Sequence, residues 1–371
     1  MTRRVRFAVA LLLVAVGGCA ALSDGPVYYW QSALGHWRVM SSARPVTALI
    51  ADPSTDSSLR ARLDTARGIR EFASSELGLP DNDSYTRYAD LRRPYVVWNV
   101  FATPELSMQL QQWCFPVAGC VSYRGYYERG EADRFAQGLR EQGLEVHVGG
   151  VPAYSTLGWF DDPLLSTFIH YPDGEMARLV FHELAHQVVY VKNDSTFNES
   201  FATAVEEAGV QRWLAARGDP KLDRAYREHA ERRREFVALL RRHRAELEAV
   251  YAGPGDDDAR RRGKQQVFES LQAQYRSLKD SWGGYAGYDR WFAQPLTNAH
   301  LASVGTYTDL VPAFRALLQQ RDGDLPAFYA AVRELAALPR AERDARLASL
   351  QSPAREAGLT ARKARPAGIG L

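Results

Sequence analysis

Cysteine is scarce in this chain: three residues in 371. That excludes a disulfide-dense scaffold and a cysteine-rich metal domain. An excess of one charge is missing as well. Forty-six Lys and Arg stand against 44 Asp and Glu, a formal net charge of +2. Such a balance gives no general electrostatic footprint for nucleic acid, and none is expected as a partner. The apolar run from Phe7 to Val16 is ten residues, short of the roughly 20 that a membrane-crossing helix needs. No internal repeat is visible. What remains, at 46% hydrophobic and 24% charged, is ordinary for a globular protein of one elaborated domain or two.

The N-terminus reads as an address. Arg3, Arg4 and Arg6 precede the apolar run, and Gly17-Gly18-Cys19 follows it. This is the three-part layout of a secretory signal over residues 1–18. Its removal leaves 353 residues with a net charge of −1. Val16-Gly17-Gly18-Cys19 also resembles the bacterial lipoprotein box. That resemblance implies a lipidated Cys19 and a membrane partner reached through the lipid. Ala20 in place of Asp then implies the periplasmic face of the outer membrane. The plainer alternative is a signal peptide with an incidental Cys. Cys114 and Cys120, six apart across Pro116 and Gly119, fit a small disulfide loop. Two buried free thiols are the alternative.

Residues 19–26 read as a tether. Residues 27–90 are mainly helical by spacing, and 27–220 form the first part of a main domain. Tyr95 to Phe101 is β-branched and aromatic, the mark of a buried strand. Gly119–Tyr127 and Glu145–Val148 are further strands around a helix at 130–142. Tyr154–Ile169 reads as an irregular strand pair. A helix is expected over Glu175–Val191, introduced by Pro172-Asp173-Gly174, and another over Phe197–Arg217, ended by Gly218-Asp219-Pro220. Residues 221–282 are charge-rich, with Phe236, Leu239, Leu240, Leu247 and Val250 at helical spacing. They read as an inserted helical hairpin, broken at Gly253-Pro254-Gly255, whose arginines form a solvated face. Residues 283–351 return to the main domain, and 352–371 read as a mobile tail.

His182-Glu183-Leu184-Ala185-His186 carries the chemistry. Side chains four apart share a helix face, so both imidazoles reach one Zn²⁺ and Glu183 stands beside the open position. Chance, given eight His in the chain, supplies about 0.01 copies of this pattern. A third ligand should come from a neighbouring element. Phe197-Asn198-Glu199-Ser200-Phe201-Ala202 opens the next helix. Glu206, seven residues on, shares a face with Glu199 and is the rival. With the helix running to Val191, His186 lies about 7 Å from its end, a level between the two candidates.

His-Glu-Leu-Ala-His followed by Asn-Glu-x-Phe-Ala resembles the gluzincin metallopeptidases, above all the zinc aminopeptidases. With the twelve-residue gap and Tyr154-Ser155-Thr156-Leu157-Gly158-Trp159-Phe160 upstream, the chain resembles a family of bacterial lipoproteins catalogued as aminopeptidases. The resemblance implies an α+β fold: a gluzincin-like core with a small, mostly antiparallel sheet, a zinc helix pair and the inserted hairpin. It implies one Zn²⁺ on His182, His186 and Glu199, Glu183 as general base, and a peptide substrate. It also implies a Tyr that stabilises the oxyanion. Tyr307, in Asn298–Tyr307, is the candidate, with His300 as an alternative donor and a mere packing role for Tyr307 as the other reading. The Gly-x-Met-Glu-Asn segment that binds the free amine in related enzymes is missing. Asp161 or Asp162 is the substitute, although Asp before Pro is also a common turn residue. Metalloendopeptidase activity, and a non-catalytic lipoprotein with a vestigial zinc site, are the alternatives.

Overall fold

The computed structural model describes residues 25–115, 119–304 and 309–350. It is mixed α+β, mainly helical, with small sheets. In chain order the helices before the metal motif are α1 (Pro26–Ser42), α2 (Val46–Ala51), α3 (Ser57–Ser75) and α4 (Arg129–Glu141). The long strands are β3 (Val97–Pro104) and β7 (Leu144–Val151). Short strands are β1 (Arg44–Pro45), β2 (Arg87–Ala89), β4 (Trp113–Phe115), β5 (Gly119–Val121), β6 (Arg124–Tyr126) and β8 (Leu164–Leu165).

The central sheet has the order β6-β3-β7, antiparallel throughout. Its two faces follow from the period-2 alternation of β3. Trp98, Val100 and Ala102 pack with Ala132, Ala136 and Leu139 of α4. Val97, Asn99 and Phe101 point the other way and line a cleft. β4 and β5 form a hairpin across which Cys114 and Cys120 are disulfide-bonded. A third sheet, β1-β2-β8, holds a parallel β2–β8 pair, an exception to the antiparallel expectation.

The cleft's other wall is a helix pair, α5 (Asp173–His186) and α6 (Ser195–Arg217). Met176, Val180, Phe181, Leu184, Phe197, Phe201 and Val205 are fully buried in the main core, with Phe197 and Phe201 turned to Phe314 and Phe201 also to Phe328. Each such side chain contributes roughly 1.5–3 kcal/mol relative to exposure. Gly209 lets the pair close: a Cβ there would stand 2.9 Å from Phe181 and 2.8 Å from Leu77. Gly218, at φ 60°, takes the left-handed position that ends α6.

The sequence extends α5 to Val191, but the helix stops at His186. Gln187 N–H donates to Leu184 O and Val188 N–H to Ala185 O, which tightens the last turn. The β-branched Val188, Val189 and Val191 then favour leaving the helix. The segment read as a strand pair over 154–169 holds only the two-residue β8, and Gly119–Tyr127 is split into β5 and β6.

After α6 come α7 (Pro220–Ala252) and α8 (Asp257–Ser281), joined by a four-residue turn. They enclose a separate core of Phe236, Leu240, Leu247, Leu271 and Tyr275, with Tyr288 stacked on Phe236 at 3.9 Å. Helices α9 (Asp289–Phe292), α10 (Asn298–Val304), α11 (Val311–Gln319) and α12 (Leu325–Ala337) follow. Among the described residues no helix is long and apolar enough to cross a membrane.

Candidate metal centre and cleft

Asn198 explains why the turn after α5 returns in register. Its Oδ1 accepts from Val191 N–H at 2.7 Å and its Nδ2 donates to Val191 O at 2.8 Å. One side chain thus satisfies both backbone groups of a half-buried loop residue and fixes the next residue, Glu199, opposite His182. Asp194 caps α6 by accepting from Phe197 N–H at 3.1 Å.

The result is a converging donor set. His182 Nε2 lies 3.2 Å from His186 Nε2 and 3.3 Å from Glu199 Oε2, and His186 Nε2 lies 3.7 Å from Glu199 Oε1. One donor atom from each of the three residues falls within 4.8 Å of the others. The ligand atoms of a tetrahedral Zn²⁺ with bonds of about 2.0–2.1 Å stand about 3.3 Å apart. The residues present therefore fit a metal ion. Their electrostatics agree. Burial lowers the His182 pKa, but hydrogen bonds that it donates to Glu199 and Glu206 outweigh it and push it up to about 10. Two carboxylates there call for a cation, and a proton is the smallest one that answers.

Glu206 is not in the donor set. Its Oε2 lies 2.9 Å from His182 Nδ1, the edge away from Glu199. Arg178 Nη1 donates to the same oxygen at 3.0 Å, and Arg178 Nε donates to Glu175 Oε2 at 2.9 Å. Arg233 of α7 then donates to both Glu175 oxygens at 2.8 Å. Burial alone would raise the Glu206 pKa, but Arg178 and then His182 bring it down to about 2. Arg233 was expected on a solvated face; it turns inward to close this chain of charges.

The cleft encloses about 640 Å³. His182, Glu183, His186 and Glu199 line one wall; Tyr123, Tyr127, Asn99 and Phe101 line the sheet side; Tyr28 and Ser32 of α1 close it. Burial, opposed by His182, pushes the Glu183 pKa up to about 7. Tyr123 is a cleft residue the sequence reading missed. Its ring packs against Phe101 at 5.8 Å. Burial, and then the nearby carboxylate of Glu199, raise its pKa, so the phenol keeps its proton. It sits among several tyrosines between two short strands, and no spacing marks it.

The remaining candidates fall elsewhere. Asp161 is exposed and Asp162 is buried, and neither is among the residues that line the cleft. Asp162 Oδ2 accepts from Thr156 N–H at 2.8 Å, and its carbonyl accepts from Tyr85 N–H at 2.6 Å. His300 is buried against His147, ring centroids 3.8 Å apart, and does not line the cleft either. Tyr307 and Cys19 lie outside the described residues.

A buried helix pair that presents two imidazoles, a carboxylate and a neighbouring half-buried Glu to a cleft defines a site able to hold a metal ion beside an acid–base group. The chain belongs to the family described as "Putative aminopeptidase", which it matches over residues 27–347. That description supports a peptidase. No curated protein and no solved structure matches the chain.

Proposed function

We propose that the chain is a zinc-dependent peptidase with a gluzincin-like core, an aminopeptidase held by a lipid on Cys19 at the periplasmic face of the outer membrane. The convergence of His182, His186 and Glu199 on one point beside Glu183 carries this reading. The disulfide between Cys114 and Cys120 fits an oxidising compartment. Zn²⁺ on the three ligands would polarise the scissile carbonyl and acidify the attacking water. Glu183 takes the proton from that water and passes it to the leaving amine. Its carboxylate lines the cleft beside the three donors, within reach of both partners in that transfer. Tyr123 donates to the carbonyl oxygen as negative charge builds there.

One observation favours an endopeptidase as the second reading. Among the described residues the acids lining the cleft are Glu183 and Glu199. Both have tasks at the metal, and neither is free to bind a substrate ammonium.

The test pairs metal content with turnover. Glu183→Gln should retain one zinc per chain and lose about 10²–10⁴ in kcat. His182→Ala and Glu199→Ala should lose the metal. Free peptides cleaved much faster than their N-acetylated forms would establish the aminopeptidase; equal rates would establish the endopeptidase. A metal-free wild type with full activity would sink both.

A further inference from the structure

Helix α1 has two unlike sides. On the inner side Tyr28 and Ser32 line the cleft, and Tyr127 packs so closely on Gly35 that no side chain fits there. The outer side is apolar and bare. Val27, Trp30 and Trp37 are 74%, 70% and 63% exposed. Trp30 and Trp37 are seven residues apart and point within about 20° of one another, with Val27 one turn away. A neighbouring loop carries further exposed rings. Phe160 packs on His36 of α1 at 4.6 Å, and Trp159 beside it is 72% exposed. Two exposed indoles on one stripe of a helix are uncommon on a protein surface and mark an interaction site.

We infer that this face of α1 rests in the headgroup layer of a phospholipid bilayer. The inference rests on the reading of Cys19 as a lipid anchor. Cys19 lies seven positions before Pro26, a stretch that spans at most about 25 Å. Anchoring Cys19 therefore makes α1 the first described element to meet the membrane. Its chemistry suits that contact. Indole is apolar in body with one polar N–H, the pattern enriched at membrane–water interfaces. α1 contains no acidic residue, and Arg38 at the edge of the stripe is paired with Glu128 at 3.4 Å, so the stripe itself sets no net charge against the headgroups. A lipid anchor and an interfacial helix together hold a protein more firmly than either alone. The inner side of the same helix then holds the cleft close to the bilayer.

The test uses the full processed protein, purified in detergent and reconstituted into phosphatidylcholine vesicles, with an intact-mass measurement of its N-terminus. Vesicles containing dibrominated phosphatidylcholine should quench tryptophan emission of the wild type. Trp30→Phe/Trp37→Phe should lose most of that quenching while keeping the same thermal midpoint. A lipidated protein that floats with vesicles but shows equal quenching with and without the two indoles overturns the inference and leaves the anchor standing. An unlipidated protein that still binds vesicles, and loses binding on Trp30→Glu/Trp37→Glu, overturns the anchor and supports the face. Absence of both lipid and vesicle binding overturns both. A lipid-free dimer that dissociates on Trp30→Glu/Trp37→Glu assigns the face to a second copy and also overturns the inference.

Discussion

His182 and Glu206 are joined at 2.9 Å through Nδ1, on the edge of the imidazole that faces away from Glu199 and His186. A carboxylate there occupies Nδ1 and leaves Nε2 as the atom that faces His186 and Glu199. The carboxylate is itself fixed by Arg178, Glu175 and Arg233 in turn. The orientation of the His182 ring is thereby tied to α7, the first helix of the long pair that follows α6.

Glu206→Gln should therefore weaken zinc binding about 10–100-fold without removing it, whereas Glu199→Ala should lose a ligand outright. Competition with a calibrated chelator measures both. If Glu206→Gln strips the metal and Glu199→Ala retains it, the two glutamates exchange roles.

Tyr123→Phe keeps the ring against Phe101 and removes the hydroxyl. Loss of one oxyanion donor costs about 10²–10³ in kcat. If the bond forms only in the transition state, kcat and kcat/KM fall together and KM stays near its wild-type value. Steady-state kinetics on a soluble peptide read this directly. Full activity in Tyr123→Phe together with loss in Tyr307→Phe would return the role to Tyr307.

Local chemistry was legible in the sequence; what depends on distant packing was not. The His-Glu-x-x-His pattern has a fixed geometry on any helix, so the two imidazoles were readable from spacing, whereas Glu199 was marked only by the resemblance of its Asn-Glu-x-Phe-Ala segment to the zinc aminopeptidases. The end of α5 was not. Apolar Val188, Val189 and Val191 continue the helical stripe, and only the Asn198 bonds to Val191 reveal that they belong to a turn. Glu206 was ambiguous because helix phase brings it to the same face as Glu199, and phase cannot say which imidazole edge it meets. Arg233 looked like its neighbours Arg232 and Arg234, and its inward turn depends on Glu175, 58 residues earlier. Tyr123 required the fold, because the cleft wall comes from alternate residues of a sheet whose partners are far apart in sequence.

The start of α6 is anchored from the far end of the chain. Arg343 Nη2 donates to Asp194 Oδ2 at 2.6 Å, and both side chains are about 5% exposed. The guanidinium also lies over the Phe197 ring at 5.3 Å. Arg343→Met should destabilise the fold by about 3–5 kcal/mol, because it leaves Asp194 buried without its cation. Arg343→Met/Asp194→Asn should recover part of that loss, as coupled neighbours do. Urea unfolding of the three proteins provides the comparison. Additive losses would mean that the pair does not couple.

Asp162 gives a pH signature. Burial pushes its pKa up from 3.8 to about 6 in the folded chain. The folded state thus holds the proton more tightly than the unfolded state. Its stabilising effect is complete below the unfolded pKa and disappears as pH rises through the folded one. Above about pH 7 the group is charged in both states, and the folded state bears a cost on the order of 2–3 kcal/mol. Asp162→Asn keeps an oxygen to accept from Thr156 N–H but cannot ionise. The variant also places an amide N–H₂ where Asp162 Oδ1 has no partner, a cost that does not change with pH. The informative quantity is therefore the stability of the variant minus that of the wild type. It should be nearly flat below about pH 4, rise between about pH 4 and 6, and level off above 7. Thermal unfolding across that range measures it, and other titrating groups cancel in the difference. A flat difference across the whole range would show that the Asp162 pKa is the same in both states. KM for a free-amine peptide separates the other role proposed for this residue: a rise of tenfold or more in Asp162→Asn would mean that the carboxylate binds the substrate ammonium, as one reading of the sequence expects, while an unchanged KM leaves it holding the loop from Thr156 to Pro163.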